Sequence, residues 1–165
     1  MRLASPRDAR ALVELAHEVG AEPEGWLISA GDWRSIRDER RQLTAARRSR
    51  DVAVLVAENH AGIVGRLSIV RDFHPACAHV ADLGLMVARS HRREGVGSAL
   101  LAAAEHWARE VGVRKLELSV FPHNAPALAL YRLSGYRQEG HRVAHFRRGD
   151  TYVDSILMAK DLSAS

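Results

Sequence analysis

The nine residues Arg92-Arg93-Glu94-Gly95-Val96-Gly97-Ser98-Ala99-Leu100 restrict the fold more than any other part of the chain. Before them, residues 78–88 form an apolar run that reads as a strand interrupted by Asp82 and Gly84. After them, Val96, Leu100, Ala104, Ala108 and Val111 recur on one face of a helix that Gly112 ends. In a strand–loop–helix unit the first N–H groups of the helix lack intrahelical acceptors, and the helix dipole adds partial positive charge beside them. Such a terminus holds anions. Gly95 and Gly97 are expected to let a diphosphate reach the backbone, while Arg92 and Arg93 add charge. The glycine at position 84 suggests a bulge, or a place where a ligand approaches the backbone.

Two better-known phosphate loops do not fit. The Gly-Lys-Ser/Thr that closes a P-loop is missing. A dinucleotide fingerprint needs a third glycine where Leu100 stands, and a first glycine tight against the strand end. Glu117 follows Gly97 by 20 residues, as a ribose-binding acid would, but it falls inside an alternating strand pattern and reads as a solvent-face charge.

The rest of the chain arranges itself around this unit. Ser5 and Pro6 open a helix in which Leu12, Leu15, Ala16 and Val19 share a face and Gly20 is the stop. Residues 22–31 read as a loop broken by Pro23, Gly25 and Gly31, and a second helix is expected from about Asp32 into Arg47-Arg48. Residues 52–57 and 63–70 form a hairpin, 115–120 a strand, and Pro122 and Asn124 open a helix that Gly135 closes. Residues 137–146 and 151–159 make a last hairpin around Arg148-Gly149-Asp150. With no repeat or linker, this order predicts one domain over residues 1–165. Its fold class is α/β of the α+β type: a mixed, mainly antiparallel sheet of six to seven strands flanked by about four helices.

Composition narrows the setting. The one cysteine, Cys77, rules out an internal disulfide and a cysteine-rich zinc site. The nine histidines show no metal-ligand spacing, so no metal is expected. No signal-like or membrane-length apolar run occurs, and a cytoplasmic, membrane-free protein is expected. The net charge is +4, and the arginines are densest between Arg34 and Arg50, where Asp32, Asp38, Glu39 and Asp51 dilute them. That stretch reads as the wet face of a helix, and the near absence of aromatics beside it argues against nucleic acid as a partner.

Arg92, Gly95 and Gly97 fill the fixed positions of Gln/Arg-x-x-Gly-x-Gly/Ala, which resembles the central motif of the GCN5-related N-acetyltransferases (GNAT). A second segment makes the resemblance specific. Asn124, Ala127, Leu130, Tyr131, Gly135 and Tyr136 match the family's Asn-x-x-Ala-x-x-Leu-Tyr-x-x-x-Gly-Phe/Tyr, and Leu85-Met86-Val87 is similar to its strand before the loop. The resemblance covers residues 78–136 and reaches residues 1–50 only in general layout. It implies the acyl-CoA N-acyltransferase fold and an acetyltransferase that uses acetyl-CoA to acetylate a primary amine of a small molecule or peptide. Backbone groups of Met86, Val87 and Ala88 would pair with the pantetheine arm. The diphosphate would lie on Arg92, Arg93, Gly95, Val96, Gly97 and Ser98, Asn124 would bond the arm from the other side, and Tyr131 would reach the thioester sulfur as general acid. Asn124 also fits an N-cap, and Tyr131 a core aromatic. Asp82 is the first candidate for general base, with Glu117, Asp72 and His74 as alternatives. An acyl-CoA-binding regulatory module without transfer activity and a basic nucleic-acid-associated protein are the competing readings. The last hairpin offers an edge for a homodimer.

Overall fold

The computed structural model describes residues 1–28, 33–60 and 62–163. Its seven strands form one sheet in the order β1-β2-β3-β4-β5-β7-β6, where β1 is Arg2–Leu3, β2 Val52–Asn59, β3 Gly62–Arg71, β4 Val80–Val87, β5 Lys115–Val120, β6 Arg137–Arg148 and β7 Thr151–Asp161. Only β4 and β5 run parallel, because helix α3, Val96–Glu110, carries the chain across between them. The expected mixed, mainly antiparallel sheet with four helices is what forms.

Each helix starts where its local chemistry says it should. Ser5 precedes a short 3₁₀ turn, Pro6–Asp8, and its N–H donates to the Asp8 carboxylate at 2.7 Å before α1, Ala9–Gly20, continues. Helix α2, Ile36–Ala46, begins later than expected because Ser35 caps it, its hydroxyl accepting from Asp38 N–H at 3.2 Å. Asp32, the expected start, and Gly31 lie outside the described residues. Helix α4, Ala125–Leu133, has Asn124 as N-cap and Pro126 in its first turn.

The two faces of the sheet follow from strand alternation. On β2, Ala53, Leu55 and Ala57 join the core that contains Leu100, Leu101 and Ala104 of α3, while Val54 and Val56 join Leu12 of α1 and Leu43 of α2. Gly65 lets α3 approach β3, since a Cβ there would meet Leu100 Cδ1 at 3.0 Å and Val96 Cγ1 at 3.1 Å. Leu67 and Ile69 pair with Leu85 and Leu83 on that same α3 face. The opposite face of β3 and β4 therefore carries Arg66, Ser68, Asp82, Gly84 and Met86, a row with far more polar chemistry.

Candidate active site

Two parallel strands that begin together and then part create the site. The β4–β5 ladder holds Val80, Ala81 and Asp82 opposite Lys115, Leu116 and Glu117, and goes no further. Beyond it β4 stays paired with β3 as far as Val87↔Gly65, and β5 with β7 as far as Val120↔Ile156. The second half of β4 thus has one unpaired edge.

Hydrogen-bond parity identifies which peptide groups face that edge. Ala88 N–H donates to Val64 O at 2.9 Å, and Asp72 N–H donates to Val80 O at 3.0 Å, so even-numbered residues of this stretch bond toward β3. Lys115 N–H donates to His79 O at 3.0 Å on the β5 side, which fits the same alternation. Leu83, Leu85 and Val87 consequently turn their N–H and C=O groups into the opening. This revises the expectation for Met86 and Ala88, whose peptide N–H groups are directed to β3, and adds Leu85. The pairing of β3 with β4 runs through Gly84↔Ser68 without a shift, so Gly84 marks no bulge there. Its missing side chain leaves room instead, since a Cβ would meet Ser68 Oγ at 3.3 Å.

At the end of this edge the loop turns into α3. Arg93 and Gly95 take left-handed backbone, with φ of 65° and 82°, and the first bond of the helix is Ala99 N–H to Gly95 O at 3.0 Å. The N–H groups of Val96, Gly97 and Ser98 therefore lack helical acceptors. A Cβ built on Gly95 meets nothing within 4 Å, so the loop is open on that side, and Arg93 and Ser98 are exposed. Gly97 faces the other way. Its Cβ would lie 2.8 Å from Leu130 Cδ2 of α4, so this glycine serves helix–helix contact, a correction to its expected role of keeping side chains off the diphosphate. The Arg92 side chain is also engaged inward. It donates to both oxygens of Glu22, at 2.7 and 2.5 Å, and to Val87 O at 3.0 Å, with its guanidinium 5.0 Å from the Trp26 ring.

On the polar face, a cleft of about 470 Å³ lies over the point where β4 and β5 part. Tyr131 reaches it from α4, Asp82 and Met86 from β4, and Ser119 from β5. Tyr131 is buried and its hydroxyl makes no hydrogen bond to the described residues, so it is a core aromatic whose polar end is left for the cleft. Burial, and secondarily the Asp82 carboxylate, raise its pKa well above that of an ordinary phenol. Asp82 keeps contact with solvent yet is hemmed in by the cleft walls. That desolvation, with repulsion from Glu117 across the ladder, raises its pKa to about 6 despite the nearby Arg142. Asp72 and His74 are elsewhere: Asp72 accepts from His74 N–H at 2.8 Å, and His74 Nδ1 accepts from Ala76 N–H at 3.2 Å, in the turn before β4. Asn124 Oδ1 accepts from Ala127 N–H at 3.2 Å, so the capping role is real and its side-chain N–H groups remain available.

Several cleft residues had no motif to announce them. Leu27 and Trp33 come from the segment before α2, His145 and Phe146 from β6, and Arg66 from β3. Ala144 has φ of 51°, and the β6–β7 register shifts between Arg142 and Phe146, where Asp154 accepts from Ala144 N–H at 2.8 Å. That irregularity sits where the hairpin supplies His145 and Phe146 to the cleft. Arg66 is the one charged residue in the run 63–70, and Glu39 is fully buried, a correction to its expected place on the wet helix face. Among the described residues no group of three or more His, Cys, Asp or Glu side chains could hold a metal, and no helix is long and apolar enough to cross a membrane.

This arrangement has counterparts among known proteins. The model of the acetyltransferase (GNAT) family matches residues 12–136. The chain is 36% identical over 110 residues to the L-amino acid N-acetyltransferase AaaT of Escherichia coli (strain K12), a match spanning 64% of this chain and 66% of that protein. A GNAT-family acetyltransferase from Streptococcus pneumoniae superposes with a TM-score of 0.88 at 28% identity, over 97% of this chain and 96% of the other. A ribosomal-protein-alanine N-acetyltransferase from Brucella melitensis does so with a TM-score of 0.84 at 26% identity, over 97% and 98% of the two chains. The chain belongs to the GNAT family of acetyltransferases.

Proposed function

We propose that this protein acetylates the α-amine of a small acceptor using acetyl-CoA, with Asp82 taking the amine's proton and Tyr131 donating to the departing sulfur. Acetyl-CoA supplies the acetyl group as an activated thioester. The observation that carries the reading is the coincidence at one point of an unpaired strand edge, an open helix N-terminus, and a cleft holding one carboxylate and one phenol without a hydrogen-bond partner among the described residues. Leu85 and Val87 would pair with the pantetheine arm, Asn124 would donate to it, and the N–H groups of Val96, Gly97 and Ser98 with the Arg93 charge would hold the diphosphate. Arg92 and Gly95 would shape that loop.

The proton inventory favours an α-amine. An ammonium cannot attack, so a proton must leave first. With Asp82 near 6, removing a proton from an α-amine of pKa 7.7 to 8 is uphill by about two pH units, against more than four for a lysine-like amine. That proton ends on Asp82, which is open enough to return it to water, and the second amine proton, freed as the amide forms and the thiolate departs, leaves by the same route. Tyr131 stays protonated at neutral pH and hydrogen-bonds the sulfur as negative charge builds. Its pKa lies above the roughly 8.5 of a thiol, so complete transfer from Tyr131 is uphill and the thiolate takes its final proton from solvent. AaaT is named for L-amino acids and the Brucella melitensis protein for a protein alanine, both of which present α-amines.

The test is thiol release from acetyl-CoA over a panel of free amino acids, alanine-leading peptides, polyamines and aminoglycosides. Turnover concentrated among α-amines supports the proposal. Calorimetric binding of acetyl-CoA without thiol release on any amine would instead make the chain an acyl-CoA-binding module.

A further inference from the structure

We propose that Arg66 selects acceptors bearing a carboxylate, so that the substrate class is the free amino acid and not a peptide or polyamine; this rests on the acetyl-transfer reading above. Glu39, fully buried on α2, already accepts from Arg34 Nη1 at 2.7 Å. Its other oxygen, Oε1, is 3.6 Å from Arg66 Nη2, beyond hydrogen-bond range. Among the described residues one carboxylate thus faces two guanidinium groups, so this wall of the cleft is positive across from the Asp82 carboxylate.

The hydrogen bonds agree. Arg66 Nε and Trp33 Nε1 are both buried donors with no acceptor among the described residues, and both residues line the cleft. The Arg66 guanidinium lies over the Trp33 ring at 5.1 Å and that of Arg34 at 4.7 Å, so both cations that face Glu39 also contact the indole. Buried N–H groups left without protein acceptors are costly, and natural interiors complete such sets with ordered water or with a ligand, here one that brings its own acceptor oxygens. Burial depresses the Arg66 pKa to about 10, against the raising effect of Glu39, so the guanidinium is still charged at pH 7.

Register sets the scale of the ligand. Arg66 is opposite Met86, Ser68 opposite Gly84 and Val70 opposite Asp82, so Arg66 and Asp82 stand four residues apart on one face, roughly 13 Å between backbones before the side chains reach inward. A carboxylate at Arg66 and an amine toward Asp82 and Tyr131 make a short zwitterion, with Leu27, Trp33 and Phe146 left to contact its apolar side chain. A polyamine would put a second cation against Arg66, and a peptide would replace the carboxylate by a neutral amide.

The test uses the twenty L-amino acids, each beside its carboxamide, with wild type and Arg66→Met, which keeps the apolar stem and leaves Glu39 paired with Arg34. The acid should exceed its amide in kcat/KM by on the order of 10²-fold in wild type, and Arg66→Met should erase that ratio mainly through KM, with the amide's kcat/KM and acetyl-CoA affinity nearly unchanged. Calorimetric titration of the CoA-saturated protein with the same pairs reads recognition without chemistry. Binding of acid over amide that vanishes in Arg66→Met upholds the carboxylate site even where no acetyl transfer is seen, and that result would count against the transfer reading alone. Equal use or equal binding of acids and amides by wild type overturns the inference. So does an equal loss for both in a folded Arg66→Met variant.

Discussion

Arg92 and Glu22 form a two-pronged ion pair that joins the loop before α3 to the segment before α2, with N···O distances of 2.7 and 2.5 Å and the Glu22 side chain nearly sealed from solvent. Arg89 adds a second link to Glu24 at 3.2 Å, and Arg148 from β6 donates to Leu27 O. Leu27 lines the cleft, so the segment that would shape the acceptor side is tied at Glu22 and Glu24 to the proposed cofactor loop and at Leu27 to the last hairpin. Glu22→Gln removes the countercharge and keeps one neutral acceptor oxygen, so among the described residues Arg92 retains Val87 O, the Trp26 ring and one weaker bond, at a cost of about 1–3 kcal/mol. The expected result is a lower Tm and a rise in acceptor KM larger than the rise in acetyl-CoA Kd. Equal effects on the two ligands would mean that the pair supports the fold without linking the two sides.

Asp82 titrates near 6, so kcat/KM for the acceptor should fall as pH drops through 6, where the carboxyl becomes protonated and can no longer accept. Asp82→Asn should flatten that limb and lose most of its rate near neutrality, recovering as rising pH deprotonates the amine unaided. Stability moves in the opposite sense. A carboxyl whose pKa is raised by folding favours the folded state below about 3.8 and loses that contribution as pH rises through 6. Asp82→Asn should therefore raise Tm at pH 7.5 and by less at pH 5, as melting curves at the two values would read. A small rate loss that is flat across pH would make Asp82 structural.

The glycine loop before α3, the helices that follow Gly95 and Asn124, and the succession of β2 to β7 along the chain are legible because each is written locally, in glycine placement, caps and alternation, whereas the short β1 carries no such mark. Most of the acceptor side was not. Arg66, Glu39, Trp33 and Phe146 come from four separate elements, and only tertiary packing brings them to one wall. The same limit explains the misassigned glycines. A motif can say that position 97 is small, but not whether the space belongs to a ligand or, as here, to Leu130. Parity along β4 is likewise a property of the pairing with β3, which decides that Val87 and not Met86 presents its N–H to the open edge.

The two loop glycines should separate under mutation. Gly97→Val places branched carbon where Leu130 Cδ2 stands 2.8 Å from a Cβ, so α3 and α4 must shift, at a cost of about 1–3 kcal/mol. Gly95→Ala meets no atom, but forces an alanine to φ of 82°, at about 1–2 kcal/mol. Melting curves and acetyl-CoA calorimetry should show Gly97→Val mainly as a stability defect. Gly95→Ala should show weakened acetyl-CoA binding in a protein that still melts cooperatively. Equal affinity in Gly95→Ala and wild type would remove the loop from the diphosphate site.

Tyr131 separates packing from chemistry through a single oxygen. Its ring is packed at 5.8 Å from Tyr136 in the core, and Tyr131→Phe keeps that contact. Because the hydroxyl bonds to none of the described residues, its removal should leave Tm nearly unchanged or slightly higher, whereas losing an internal hydrogen bond would cost about 1 kcal/mol. The rate should respond quite differently. A donor aimed at charge that builds only in the transition state contributes on the order of 10²- to 10³-fold, and it does so without strengthening the ground state. Single-turnover acetyl transfer by Tyr131→Phe should therefore slow by about 10²-fold or more at an unaltered acetyl-CoA Kd, at all pH values where the phenol is protonated. A Phe variant that transfers acetyl at the wild-type rate would leave Tyr131 as core packing and place the stabilisation of the departing sulfur on backbone N–H groups of the open β4 edge.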